Sequence, residues 1–357
     1  MLFAIRSNGA RAIAVIALAM ASAASAAAPT IGATSSRVAP DKVTVKWTDT
    51  SPIDVYVSDR PDATTRTARL VSRADADGQL DVADTKETRH YFLLRDPRSG
   101  AEQRTAERLI PLDRGSNFRD IGGYEAFGGK HIRWGLIYRS GATPVLTDDD
   151  IVRIKRLGLK DMVDLRSSEE RVIAPTRLTG IRYTAIDYSM TSMMGARKSM
   201  VNGVDLYREF PSFFVPHLKI VFEDLIEKRG PLLYHCSAGQ DRTGFVTAMI
   251  LSALGVPRDV ITADYHLSTT YRQPQNELPV IDEAAARTNP VAAMFAAYQK
   301  SGSYSKAQPL QDANGKAFLD GAFDEIDARW GSVDAYLEKE VGVSRSDLAL
   351  LRATYLE

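Results

Sequence analysis

One cysteine occurs in the 357 residues, in the run His235-Cys236-Ser237-Ala238-Gly239-Gln240-Asp241-Arg242-Thr243-Gly244. A thiol followed six positions on by an arginine, across a glycine-bearing stretch, suits attack on a phosphate ester. The thiolate is the nucleophile toward phosphorus. The N–H groups of Ser237, Ala238, Gly239 and Gln240 can curl into a nest for the phosphoryl oxygens, and the planar fork of Arg242 can clamp two of them. Upstream, Leu232-Leu233-Tyr234 reads as a short buried strand. Downstream, Gly244 to Leu254 is apolar and helix-like, closed by Gly255 and Pro257. Such a strand–loop–helix unit aims the positive end of a helix at the loop, which favours a thiolate and attracts a dianion. The competing reading of Cys236 is a buried core side chain. Its company of Gly239, Arg242, Thr243 and Gly244 weighs against that.

The decamer resembles the active-site loop of the cysteine-dependent phosphatases, a superfamily of protein tyrosine, dual-specificity and inositol-lipid phosphatases. The general acid separates its branches. In the common tyrosine phosphatases that aspartate follows Trp-Pro, but here tryptophan stands only at 47, 134 and 330, never before Pro-Asp. Inside the loop, Asp241 directly precedes Arg242. A carboxylate beside a bound phosphate dianion is repelled unless it holds a proton, which is the state a general acid requires. The alternative for Asp241 is a first-turn acid that complements the helix dipole. Thr243 has two compatible readings, easing departure of the thiolate in a second step and capping the helix.

Three upstream motifs narrow the resemblance: Asn117-Phe118-Arg119-Asp120-Ile121-Gly122-Gly123-Tyr124, Tyr138-Arg139-Ser140-Gly141 and Val163-Asp164-Leu165-Arg166. With the cysteine loop, and in this order over about residues 110 to 357, they resemble the atypical bacterial and fungal tyrosine phosphatase family, which includes secreted phosphatases. That resemblance implies Asp241 as general acid and Asp164 as an aspartate bordering the site. One departure concerns substrate. Many members carry lysine before the loop aspartate, associated with the extra phosphates of inositol lipids, and this chain has Gln240. Arg119, Arg139 and Arg166 could add positive field around a phosphate. Each could equally be a structural ion-pair partner, Arg166 for instance with Glu169 or Glu170.

Residues 1–28 read as a secretory signal peptide: Arg6 and Arg11, an apolar stretch from Ala12 to Ala19, then an alanine-rich site near Ala26 to Ala28. The apolar run is too short for a comfortable membrane anchor, and the expectation is export to the periplasm or beyond. Loss of the leader removes two arginines and no acid from a balance of 45 basic and 45 acidic residues, for a charge near −2. Nothing in that balance points to nucleic acid or an anionic membrane as partner. A single cysteine excludes an intrachain disulfide, and an unpaired thiol in an exported chain is itself a sign of reactivity, open to reversible oxidation. Five histidines beside one cysteine give no zinc spacing, and Cys236 with Arg242 needs neither metal nor cofactor.

The remainder divides by pattern. Residues 29–111 alternate: Val43, Val45 and Trp47, then Ile53, Val55 and Val57, then His90 to Leu94 and Glu107 to Ile110, with turn signals between. These predict a small β-sandwich of immunoglobulin- or fibronectin-like architecture, a candidate surface for a protein partner. Residues 112–357 alternate strands and helices and predict a parallel-rich sheet flanked by helices, the α/β fold that the resemblance implies. Thr147 with Asp150 forms a capping box for a helix reaching Leu157 and closed by Gly158. Strands are expected over 159–165 and 181–186, a long helix over 212–228, and helices over 260–267, 318–329, 333–340 and from Asp347. In such sheets ligands bind beyond the carboxyl ends of strands, where Asp164 and Cys236 fall. The methionine-bearing stretch Ser189 to Gly203 reads either as a flap over the site or as a connection packed on the core.

The expected activity is metal-independent hydrolysis of a phosphorylated protein, most simply phosphotyrosine, or of a small phosphate ester. Two rivals stand: a phosphoinositide phosphatase using the same chemistry, against which Gln240 counts, and an exported binding protein on an inactive phosphatase scaffold, against which the intact Cys236, Asp241 and Arg242 count.

Overall fold

The computed structural model describes residues 31–83, 88–190 and 203–357. The leader at 1–28 and most of the Ser189–Gly203 stretch therefore lie outside the described residues.

Seven strands come first: β1 (Thr34–Ala39), β2 (Lys42–Lys46), β3 (Ile53–Ser58), β4 (Arg69–Asp75), β5 (Gln79–Ala83), β6 (Tyr91–Arg95) and β7 (Glu102–Ala106). They make two antiparallel sheets, ordered β1-β2-β5 and β4-β3-β6-β7. Val43, Val45 and Trp47 of the first sheet share one buried cluster with Ile53, Val55, Val57, Phe92 and Leu94 of the second. Period-2 alternation therefore located β2, β3 and β6, because their inward side chains are apolar. It placed the last strand wrongly. β7 ends at Ala106, and Leu109 makes only an isolated bridge to Arg119. β7 carries Glu102, Gln103 and Arg104, edge-strand polarity that hides its pairing with β6.

The five-stranded sheet that follows is ordered β11-β10-β12-β9-β8. It contains β8 (Arg119–Asp120), β9 (Ile137–Ser140), β10 (Asp161–Asp164), β11 (Arg182–Ala185) and β12 (Leu232–His235). The strands β11, β10, β12 and β9 run parallel, and β8 is antiparallel to β9. Burial is complete along β9, β10 and β12. That is the condition of a parallel sheet covered on both faces.

The helices are α1 (Asp148–Arg156), α2 (Ser168–Ile173), α3 (Gly203–Arg208), α4 (Phe210–Phe213), α5 (Val215–Ile226), α6 (Asp241–Leu254), α7 (Arg258–Tyr271), α8 (Glu283–Thr288), α9 (Pro290–Lys300), α10 (Asp320–Trp330), α11 (Val333–Tyr336) and α12 (Arg345–Tyr355). The Thr147–Asp150 capping box is formed. The single helix expected over 212–228 is instead α4 and α5, broken at Phe214 (φ −92°, ψ 9°) just before Pro216, whose ring cannot sit in a helix interior. The helix expected over 333–340 is α11 followed by a π-helical turn, Leu337–Val341. The central helix α6 buries nearly its whole length beneath the sheet and ends at Gly255 in the left-handed conformation (φ +84°).

A polar seam joins the first two sheets to the third. Arg89 donates to Asp120 (2.8 Å), to the Tyr138 hydroxyl (2.8 Å) and to the Glu107 carbonyl (2.9 Å), and Arg104 pairs with Glu357 at 2.9 Å. Tyr91, Ala106 and Trp134 pack as a small apolar cluster in the same seam.

His217 of α5 is 2% exposed, and neither ring nitrogen has a hydrogen-bond partner among the described residues. Its ring stands edge-on to Tyr188 and Phe214, with centroids 5.5 and 5.2 Å away. Burial, reinforced by the cations Arg242 and Arg171, pushes it from 6.5 down to about 4. The stability tied to neutral His217 is thus complete above pH 6.5 and lost as pH falls toward 4, where the unfolded chain binds a proton that the fold refuses. The loss over that window is about 3 kcal/mol. His217→Phe, which keeps the ring, should flatten the pH dependence of unfolding free energy between pH 6.5 and 4 by about that amount; an unchanged slope would remove His217 as its source.

Candidate active site

Cys236 follows β12, the central strand, and the loop from Cys236 to Gln240 leads into α6. Cys236 is 1% exposed but lines a cavity of about 440 Å³ with Ser237, Ala238, Gln240, Asp241 and Arg242. The residue thus belongs both to the buried core and to the lining of the cavity.

The loop carbonyls are turned back into the protein. Ser237 O accepts from Ala142 N–H (2.9 Å), and Ala238 O from Asn117 Nδ2 (3.3 Å). Gly239 O accepts from both Asn117 Nδ2 (2.7 Å) and Arg139 Nη2 (2.9 Å). Because each peptide is planar and trans, tying its carbonyl down sends the adjoining N–H the opposite way. The result is a nest of N–H groups suited to an anion. Gly239 lies at φ +64°, and a Cβ there would come within 2.5 Å of the Ser140 and Gly141 backbone, so no larger residue fits. Asn117, which supplies two of the ties, is itself at φ +55°, a conformation asparagine tolerates better than most.

Beneath these ties lies a buried charge cluster. Asp264 accepts from Arg139 Nη1 (2.8 Å) and Arg119 Nε (3.3 Å). Arg119 also donates to the side-chain oxygen of Asn117. Burial pushes the Asp264 carboxyl upward, but Arg119 and Arg139 outweigh it and hold it well below the usual carboxylate range. Removing one member of such a buried cluster costs about 3–5 kcal/mol.

Arg242 is held by Glu170 of α2 through both terminal nitrogens, each at 2.6 Å. Its Nη1 also donates to the Tyr188 hydroxyl (2.7 Å), which donates on to Leu165 O (2.9 Å). Ser237 Oγ donates to the same glutamate at 2.6 Å. Glu170 closes the capping box of α2 as well, accepting from Ser167 N–H at 2.8 Å. Burial works against its charge, yet the adjacent Arg242 guanidinium and the hydrogen bonds to the carboxylate hold it down at about 2. Asp241 accepts at Oδ1 from the Tyr207 hydroxyl (2.7 Å) and from Gln240 Nε2 (3.3 Å). Arg272, in a two-pronged pair with Glu277 (2.7 and 2.8 Å), donates to Gln240 Oε1 at 3.0 Å. Leu278, Met294, Phe295 and Tyr298 supply the apolar wall of the cavity.

The structure thus brings Cys236, Ser237, Ala238, Gln240, Asp241 and Arg242 to one cavity, with Gly239 and Thr243 in its supporting loop and helix. Thr243 Oγ1 is buried without a hydrogen-bond partner among the described residues, so it does not cap α6. Three expected phosphate-binding residues are corrected. Asp164 and Arg166 form a buried pair with each other (2.7 Å), at 0% and 1% exposure, with Tyr183 donating to Asp164 at 2.8 Å. The Arg166 guanidinium also feels the Glu170 carboxylate, but its hydrogen bonds go to Asp164 and, from Nη1, to Ala174 O (2.6 Å). Arg119 is 0% exposed and committed to Asp264. None of the three lines the cavity. Sequence reasoning missed Glu170 as the partner of Arg242, although Ser167-x-x-Glu170 carried a capping-box signature. It also missed Tyr188, Tyr207, Asp264 and Arg272, which no local pattern marks. A second cavity, about 620 Å³, lies behind the loop against Asn117, Tyr271 and Gln273 and does not include Cys236.

This chain belongs to the tyrosine phosphatase family, whose model matches residues 110–357. A Cupriavidus necator protein named provisionally as a tyrosine-protein phosphatase is 32% identical over 262 residues, covering 69% of this chain and 88% of that protein. The triple specificity protein phosphatase PtpB of Mycobacterium tuberculosis is 27% identical over 276 residues, 67% of this chain and 96% of that protein. A tyrosine-protein phosphatase of Nostoc commune is 27% identical over 219 residues, 58% of this chain and 69% of that protein. Among solved structures, a pectate lyase of Pectobacterium carotovorum superposes with a TM-score of 0.18 at 9% identity, over 38% of this chain and 36% of that one, too slight a likeness to bear on the fold.

Glu170→Gln keeps the shape of the Arg242 partner and removes its charge. The expected outcome is a loss of about 10- to 100-fold in kcat/KM for aryl phosphate hydrolysis, the cost of about 1.4–3 kcal/mol for a charge-assisted pair. Steady-state kinetics beside a thermal melt will check it. Undiminished turnover in the folded variant would show that the pair does not position Arg242.

Proposed function

We propose that this protein hydrolyses phosphate monoesters through a phosphocysteine on Cys236, with protein phosphotyrosine as the favoured substrate. The carrying observation is the placement of Cys236 at a cavity whose loop carbonyls are tied away from it and whose Arg242 is fixed by Glu170. In the first step the Cys236 sulfur forms a bond to phosphorus while the ester P–O bond breaks. The amides from Ser237 to Gln240 and the remaining face of Arg242 hold the equatorial oxygens, and Asp241 gives its proton to the leaving oxygen. In the second step water attacks the phosphocysteine, Asp241 takes its proton back and the thiolate departs, with the Thr243 hydroxyl at hand to stabilise it.

The apolar wall of Leu278, Met294, Phe295 and Tyr298 supports an aromatic leaving group. A phosphoinositide substrate is the alternative, with the same chemistry. It would look to Arg272 beside Gln240 for its further phosphates, but Glu277 already compensates that guanidinium. The inactive-scaffold reading is disfavoured by the joint presence of Cys236, Asp241 and Arg242. On this reading residues 1–28 are an export leader, residues 29–111 a β-sandwich module open to a protein partner, and residues 112–357 the hydrolase, working in the periplasm or outside the cell without metal or cofactor.

The purified protein should release phosphate from a phosphotyrosine peptide in the presence of a metal chelator, faster than from a phosphoserine peptide or phosphoinositides, and Cys236→Ser should abolish release. Chelator-sensitive turnover, or turnover surviving in Cys236→Ser, would overturn the cysteine mechanism. Asp241→Asn should cost about 10²–10⁴-fold on alkyl phosphates, whose leaving groups need a proton, and far less on p-nitrophenyl phosphate. Equal losses on both would remove Asp241 as the acid.

A further inference from the structure

Asp241 stands at the first position of α6 and meets two donors, both at Oδ1. Its Oδ2 takes no hydrogen bond from the described residues, and Asp241 lines the cavity. The stronger donor, Tyr207 of α3, is 1% exposed and itself accepts from the Tyr265 hydroxyl of α7 at 2.7 Å. The three groups form a directed chain, Tyr265 O–H to Tyr207 O–H to Asp241 Oδ1, in which every hydroxyl proton points toward the carboxyl.

The rings behind the chain have little freedom. Tyr207 stacks on Phe210 at 4.4 Å and meets Tyr265 edge-on at 6.0 Å. Gly244, one turn into α6, leaves room for Tyr265. A Cβ at that position would come within 2.9 Å of the Tyr265 ring. Burial first, and the nearby Asp241 carboxylate second, push the Tyr207 phenol well above its ordinary value, so it stays a donor.

A carboxylic acid with both fixed donors on one oxygen carries its proton on the other. We propose that Tyr207, backed by Tyr265, is the positioning residue for the acid: it makes Oδ1 the permanent acceptor and reserves Oδ2 for the proton that travels to the leaving group. This rests on Asp241 as general acid. In the first step the Oδ2–H bond breaks as the leaving-group O–H bond forms and the ester P–O electrons pass to that oxygen. In the second, a water O–H proton returns to Oδ2 as the new P–O bond forms and the S–P bond breaks. Tyr207 keeps its own proton throughout.

The test compares substrates of graded leaving group, from p-nitrophenyl phosphate to an alkyl phosphate, in the full chain and its variants. Tyr207→Phe should lose about 10- to 100-fold in kcat on the alkyl ester, with KM little changed, and no more than a few-fold on p-nitrophenyl phosphate. In an Asp241→Asn background Tyr207→Phe should add nothing, because the proton it positions is gone. Tyr265→Phe leaves the Tyr207–Asp241 bond in place and should show the same trend at smaller size. Should Tyr207→Phe fold poorly because it orphans the Tyr265 hydroxyl, Tyr207→Phe/Tyr265→Phe removes both hydroxyls together and serves in its place. A loss in Tyr207→Phe that is equal across leaving groups, or undiminished in the Asp241→Asn background, overturns the positioning role. Leaving-group dependence in Asp241→Asn without it in Tyr207→Phe defeats this inference alone, whereas its absence in Asp241→Asn defeats the general-acid reading beneath it.

Discussion

The active-site loop depends on where its carbonyl groups go. A peptide presents its N–H and C=O on opposite edges, so a loop can offer several N–H groups to one anion only if several carbonyls find donors behind it. Here those donors are the Ala142 N–H, the Asn117 amide and the Arg139 guanidinium. Each in turn is fixed from below. Arg139 and Arg119 converge on Asp264, and Arg119 holds the oxygen of Asn117, whose other end grips the loop. Two motifs some twenty residues apart and a loop about a hundred residues further on thus form one scaffold, whose charges are spent on geometry.

The same separation of duties governs the cations at the site. Arg242 faces the cavity but is balanced by Glu170, and Arg272 is balanced by Glu277. A guanidinium so paired loses long-range attraction and gains a fixed orientation, which is what two-pronged recognition of a phosphoryl group requires. A phosphoryl group bound as proposed would be held chiefly by directed N–H bonds, with the dipole of the fourteen-residue helix α6 behind them. Glu170 also closes the end of α2. A change there would disturb the helix and the arginine together, which makes the charge-only replacement the informative one.

The parts of the site that are contiguous in sequence were legible in it. The strand, the glycine-bearing loop, the arginine and the helix lie within about two dozen residues, and their spacing alone restricts the chemistry. Roles that depend on burial were not legible. For Arg119, Arg139 and Arg166 the sequence left open a free cation or an ion-pair partner, because it shows a charge but not its neighbour. In the structure all three are buried against Asp264 or Asp164. Asp264 sits in a helix with no distinguishing pattern, and Tyr207 and Tyr265 are ordinary aromatic residues until their hydroxyls meet. The apolar wall on α9 was hidden for another reason: its segment, Pro290–Lys300, is alanine-rich, with weak contrast between its faces. In the β region the inward alternation marked the core strands, whereas β7, polar along its length, was misplaced toward Ile110.

An acid carried on the nucleophile's own loop poses a different physical problem from one carried on a mobile loop. A mobile aspartate is brought to the leaving group by closure, and its environment changes as it arrives. On the proposed reading Asp241 is the acid on the loop, and its backbone is fixed at the first position of α6 beside Arg242, so its side-chain orientation has to be set before substrate binds. An exposed carboxyl would rotate and share its proton between two oxygens. Fixed donors on one oxygen remove that ambiguity at the cost of burying two phenols, and the contacts of Tyr207, stacked on Phe210 and edge-on to Tyr265, return much of that cost. Gln240 fits the same scheme, since its amide donates to Oδ1 while accepting from Arg272.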